Sequence, residues 1–223
     1  MRSADAVTVL RTAAIIIIAY LVLLKVNAFL LIFLFAAAII SDALDGFFAV
    51  REVSRGKVGI IEYAKGALGN IKIRERMSEY KHRVSKLAPS GARIDVAGDR
   101  VTEYVMWILF TFLHIVPLFV IFIIVIRHSF ADALLASKGT SSKMKSRFAK
   151  AIYASNISRF GINTLKFLTF SYLMLIYIYS YPLWIGYVLI AALVIYIVIR
   201  GIAEVYEATF FKAGKTLQKT KTI

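Results

Sequence analysis

The chain of 223 residues has no cysteine. That excludes disulfides, cysteine-ligated zinc, iron–sulfur clusters and thiol catalysis. Proline is scarce: Pro89, Pro117 and Pro182 are the whole complement, and each falls in a predicted turn, so no apolar run is broken by one. Acidic residues are few, 13 against 28 lysines and arginines. What is abundant is apolar: 60% of the residues are hydrophobic and the mean hydropathy is +0.74. A soluble domain carries about 45–50% apolar residues and has nowhere to bury such an excess. An oily and basic chain predicts an integral membrane protein whose positive charge lies in loops. The length suits one helical bundle without a large soluble domain.

A helix needs about 20 apolar residues to cross a bilayer. Six runs approach that length. They are Ala13–Leu24 with a lead-in from Val7, Ala28–Val50, Val101–His114, the stretch after Pro117 to Ile126, Ile157–Tyr179 and Leu183–Ile199. Short links at Lys25–Asn27, Val116–Pro117 and Ser180–Pro182 read as tight turns. The first run lacks the cleavage site of a signal peptide. The predicted fold is therefore an all-α membrane protein with six transmembrane helices, a single domain over 1–223.

Six spans put both termini on one side. Residues 51–93 carry eleven Lys/Arg, residues 127–150 carry six, and the tail from Arg200 carries five, whereas the opposite turns hold only Lys25. The basic side is expected to be cytoplasmic, with both termini there, in the cell membrane. Much of this charge serves topology and attraction to anionic lipid, the tail lysines above all. Residues 52–90 differ from the rest: they form a polar, basic cytoplasmic insertion. Within it, Ile73, Met77, Tyr80 and Val84 recur at helical spacing over Ile71–Leu87, which predicts an amphipathic helix lying on the membrane surface or on the bundle.

The informative residues are acids at the ends of apolar helices. Asp42 and Asp45 are i, i+3 and share a face near the end of the second run. Asp95 and Asp99 are i, i+4 at the start of the third. The predicted topology puts both pairs at one membrane depth, where four carboxylates repel and each is costly to desolvate. Divalent cations relieve both problems. All-oxygen coordination suits Mg²⁺ or Mn²⁺, and two such ions can clamp a diphosphate during an in-line displacement. The plainer alternative is that these acids cap helices or pair with Arg51, Arg93 or Arg100.

These residues match a known pattern. The chain resembles the CDP-alcohol phosphotransferases, whose signature is Asp-x2-Asp-Gly-x2-Ala-Arg-x8-Gly-x3-Asp-x3-Asp. Asp42, Asp45, Gly46 and Ala49 match its first half, and Gly91, Asp95 and Asp99 its second. Two departures stand out. Val50 follows Ala49 where the family has arginine, with Arg51 one residue later, about 100° further round a helix. And 41 residues separate Ala49 from Gly91 where the family has nine. The excess is the insertion, read as a lid or a membrane-surface element.

The resemblance implies transfer of a phosphatidyl-type group from a CDP-linked lipid, CDP-diacylglycerol or CDP-archaeol, to an alcohol hydroxyl with release of CMP. It implies Asp42, Asp45, Asp95 and Asp99 as ligands of two Mg²⁺ or Mn²⁺ ions, with Asp99 also serving as general base. It implies a nucleotide site at Gly46, Ala49, Gly91 and Arg51, joined by Thr8 and Arg11 near the start of the first span. It further implies a homodimer, and no nucleic-acid partner. Asp99-Arg100 resembles the inositol-phosphate branch, and basic residues after the fourth span hold acceptor phosphate in related enzymes. Arg100, Arg127, Lys143, Lys145 and Arg147 are accordingly expected to face a phosphorylated polyol such as inositol phosphate or glycerol phosphate. Within the family the alternatives are CDP-choline or CDP-ethanolamine as donor to a diradylglycerol, or serine as acceptor. Outside it they are a cation transporter using the Asp cluster and a non-catalytic relative.

Overall fold

The computed structural model describes residues 3–67, 73, 76, 77, 79, 80, 83, 84, 91–136, 146, 152 and 155–220. Seven long elements can be bounded: α1 (Ser3–Leu23), α2 (Ala28–Val53), α3 (Ile60–Ala67), α4 (Gly91–Phe112), α5 (Leu118–Ala136), α6 (Asn156–Tyr179) and α7 (Leu183–Thr220). There is no strand among the described residues. Among the described residues four stretches are long and apolar enough to cross a membrane: Ala6–Leu23, Ala28–Val53, Ser158–Tyr179 and Leu183–Glu207. The protein is thus all-helical, of a composition that fits a membrane.

The other two predicted runs differ in extent from the helices that they overlap. α4 starts at Gly91, ten residues before the apolar run, and so includes Asp95, Asp99 and Arg100. α5 continues past Ile126 to Ala136. Hydropathy marks where a helix meets apolar surroundings; the backbone ladder continues until the chain caps or turns.

The predicted turns have a common construction. Lys25, His114 and Ser180 adopt left-handed φ values of 53°, 59° and 56°. After α1, Lys25 N–H donates to Val22 O and Val26 N–H to Leu21 O. After α4, His114 N–H donates to Thr111 O and Ile115 N–H to Phe110 O. This double closure satisfies carbonyls that a helix end leaves over. Arg55, at φ 53°, ends α2 in the same way. Asn27 then starts α2, its side chain accepting from Phe29 N–H and Leu30 N–H.

The chain divides into two compact units, Met1–Met106 and Trp107–Ile223, the boundary falling within α4. In the first, α1 packs along α2. α1 buries Thr8, Arg11, Ile15, Ile18 and Val22, one stripe at three-four spacing, while Val9, Leu10, Ile16, Ile17 and Tyr20 face outward. Such outward apolar faces suit lipid. α2 buries Ala28, Leu31, Phe35 and Ala38 in the same register.

The insertion also belongs to the first unit. Residues 73, 76, 77, 79, 80, 83 and 84 are helical, and Met77 is buried with Val50 of α2 and with Val58 of the link to α3, flanked by Tyr63, Ile73 and Tyr80. Ile73, Met77 and Tyr80 therefore pack on the end of α2. Gly66 lets α3 approach Ile73 and Met77 closely, and Glu62 of α3 pairs with Arg76. Each buried Val or Met is worth about 1.5–3 kcal/mol.

In the second unit α7 packs against both α5 and α6. Trp107 meets Phe170 edge-on at 5.0 Å between ring centroids, and Phe110 stacks on Phe170 at 6.4 Å. Gly201 brings α7 against α5, since a β-carbon there would stand 2.6 Å from Arg127 Cγ.

Candidate metal and nucleotide site

Asp95 and Asp99 lie one turn apart on α4, with side chains 52% and 49% exposed. Their neighbour from α1 is Arg11, whose side chain is only 4% exposed; its Nη2 stands 3.0 Å from Asp99 Oδ1 and 3.9 Å from Asp95 Oδ1. A guanidinium among apolar residues needs an anion, and this carboxylate pair provides it. Of the readings open for these acids, an ion pair exists, and it is made with Arg11 of another helix.

Gly98 permits the approach. A β-carbon there would stand 2.5 Å from Thr8 Cγ2 and 3.2 Å from Arg11 Nη2. The absent side chain lets α4 close on α1 where Thr8 and Arg11 are buried. Thr12 Oγ1 donates back to Thr8 O at 2.9 Å and stays on its own helix. One turn beyond Asp99, Glu103 extends the row of acids to a buried position.

On α2 the backbone is helical through Asp42, Asp45, Gly46 and Ala49, so the i, i+3 relation of the two aspartates holds. Their side chains lie outside the described residues, as does the surrounding of Gly91, the first residue of α4. At Gly46 the hydroxyl of Tyr63 stands 2.6 Å from where a β-carbon would be, and its ring meets Phe47 edge-on at 5.7 Å. Burial raises the Tyr63 pKa above its ordinary 10.0. Ala49 is half-buried, and Val50, at the family's arginine position, is buried in the insertion cluster. Arg51 is exposed and holds its guanidinium carbon 5.9 Å from the Phe47 ring centroid, one turn back.

The predicted acceptor residues divide. Arg100 is half-buried on α4. Lys143, Lys145 and Arg147 lie outside the described residues. Arg127, 9% exposed, donates through Nη2 to Glu204 Oε2 of α7 at 3.1 Å, and its Nη1 lies 2.7 Å from His128 Nδ1. Glu204 is 0% exposed. One turn on, Glu207 accepts from Ser146 N–H at 3.0 Å. One turn before, Arg200 Nη1 donates to Ser158 Oγ at 2.7 Å and Ile152 O at 3.1 Å. Arg127 is thus held inside a buried polar row on α7.

Sequence reasoning passed over Gly98, Glu103, Tyr63, Glu204 and Glu207. Asp95, Asp99 and Glu103 recur every fourth residue, and Arg200, Glu204 and Glu207 continue the three-four register of α7, so those spacings were available. Gly98 and Tyr63 carry no such signal, because their partners are distant in sequence.

Among the described residues no group of three or more His, Cys, Asp or Glu side chains is placed to hold a metal ion. Asp95 and Asp99 nevertheless suit a hard divalent cation in donor type, being carboxylates on one face with half of their surface open. The chain matches no protein-family model, no curated protein and no solved structure.

Proposed function

We propose that this protein is a metal-dependent phosphotransferase of the CDP-alcohol type. It would move a phosphatidyl-type group from CDP-diacylglycerol or CDP-archaeol to the hydroxyl of a small phosphorylated polyol, in phospholipid synthesis. The observation that carries the reading is the pair Asp95 and Asp99, half-open on one face of α4 with Arg11 ion-paired at Asp99. The seven motif positions support it. Six spans, a cytoplasmic site and a homodimer belong to the same proposal.

Asp95 and Asp99, with Asp42 and Asp45 of α2, would hold Mg²⁺ or Mn²⁺, which when bound supplies charge neutralisation for the diphosphate and the departing phosphate. Asp99 accepts the proton of the acceptor hydroxyl. The acceptor oxygen bonds to the lipid-side phosphorus, the bridging P–O bond breaks, and the electron pair leaves with CMP. Arg11 orients Asp99 from α1 and adds positive charge beside the diphosphate. An ionised carboxylate beside a fixed guanidinium keeps its position between turnovers.

The test is CMP release by purified protein with Mg²⁺ or Mn²⁺ and either CDP-lipid. The acceptors are glycerol phosphate, inositol phosphate, serine or none. Release that requires both metal and one acceptor is the expected result. Its absence in folded protein with every acceptor would remove this donor class and turn attention to CDP-choline and CDP-ethanolamine.

A further inference from the structure

Gly46 offers bare backbone in the motif that the proposed function assigns to the nucleotide, yet that notch is filled. Tyr63 of α3 sets its hydroxyl 2.6 Å from the missing β-carbon. A nucleotide lying on Gly46 and the Tyr63 hydroxyl need the same volume. Tyr63 does not stand alone there. Its ring rests on Phe47, and Val58 and Met77 of the insertion bury themselves on Val50, one turn beyond Gly46. Arg76 is tied to Glu62, next to Tyr63. The packing at Gly66 and the Glu62–Arg76 pair join α3 to Ile73, Arg76 and Met77. At its start the insertion leaves α2 through Arg55 and Gly56, both with left-handed φ, and Gly56 meets nothing within 4 Å of a β-carbon position. Backbone freedom at a glycine in open space suits a hinge.

We propose that α3, with Met77 and the described helical residues packed beside it, is a lid closed on the nucleotide site, with Tyr63 as its latch in the Gly46 notch, and that the CDP moiety binds only when α3 lifts. This rests on the reading of Gly46 and the four aspartates as a CDP site. A closed lid lowers apparent affinity by the fraction of molecules that are open. The contact is small and partly apolar, so ligand binding can shift it.

Hydrogen exchange of the full chain, with and without CDP and Mg²⁺, tests this directly. Exchange should rise across 58–84 while it falls at 46–50 and 91–99. A fall in both regions would make the insertion a fixed wall and overturn the lid, as would a fall at the motif helices with no change in the insertion. No change anywhere would remove the CDP site itself, and the lid with it. Two variants sharpen the outcome. Tyr63→Ala empties the notch, and Met77→Ala loosens the lid without touching Gly46. Each should tighten CDP binding by about three- to tenfold. Weaker binding in Tyr63→Ala with unchanged binding in Met77→Ala would make Tyr63 a nucleotide contact and overturn the latch.

Discussion

The buried stripe of α1 runs Thr8, Arg11, Ile15, Ile18, Val22, and that of α7 runs Ile190, Leu193, Ile197, Arg200, Glu204, Glu207. Each turns polar at one end, and each polar end carries charge. They differ in what the charge meets. Arg11 reaches two carboxylates that keep about half of their surface open. Glu204 and Glu207 meet Arg127 and a backbone N–H inside the protein. Buried charges with matched partners hold helices together, and removing one partner strands the other. Half-open acids around a buried arginine retain oxygens that a ligand can reach. The first arrangement suits chemistry and the second suits architecture, although both are acid–arginine contacts between apolar helices.

The largest expected separation of the two comes from Asp99→Asn. It should cut CMP release about 10²–10⁴-fold, the worth of a positioned base, and lower the thermal midpoint of the detergent-solubilised protein only modestly, because Asp95 still stands 3.9 Å from Arg11. Near-normal turnover would end the catalytic assignment. Glu204→Ala should do the reverse at the level of stability, costing about 3–5 kcal/mol by leaving Arg127 buried and unmatched. The pair Arg127→Met with Glu204→Leu should recover most of that loss. If the recovered protein keeps its KM for the acceptor, Arg127 is architectural; a raised acceptor KM alone returns it to the phosphate-binding set.

Gly98→Val probes the joint between α1 and α4. The added atoms would meet Thr8 and Arg11, so about 1–3 kcal/mol of stability should be lost. The KM for the CDP-lipid should rise with it as Arg11 is pushed from Asp99. Smallest is the effect of Ser180→Gly, in a turn of the second unit. Relieving its left-handed φ should raise stability by about 1 kcal/mol, read in chemical denaturation, with unchanged turnover.

Much of the helical layout was legible in composition. Runs of apolar residues mark α1, α2, α6 and α7, and the turns at Lys25–Asn27 and Ser180–Pro182 fall between them as predicted. Hydropathy did not mark the start of α4, because Asp95, Asp99 and Arg100 make its first half polar; the i, i+4 spacing of the two aspartates was what placed them on that helix. The left-handed caps at Lys25, Arg55 and His114 were equally hidden, since glycine is the usual signal and none of these is glycine. At the site, the spacing of Asp95 and Asp99 was readable, and so was the need of Arg11 for an anion. Which anion it meets was not, because the two lie more than eighty residues apart. The amphipathic spacing of Ile73, Met77, Tyr80 and Val84 was also plain, but a membrane surface and the end of α2 satisfy it equally.

By itself the sequence determined periodicity, local charge and the spacing of carboxylates along a helix, because these depend only on neighbours a few residues away. It therefore specified an all-helical protein with membrane-length apolar helices and acids paired on helix faces. The tertiary structure alone decided that Arg11 stands at Asp99, that Gly98 opens the way for it, that Arg127 is held by Glu204, and that Tyr63 occupies the Gly46 notch. Each is a contact between segments far apart in the chain. Its formation depends on how closely two backbones approach, and a one-dimensional pattern does not encode that distance.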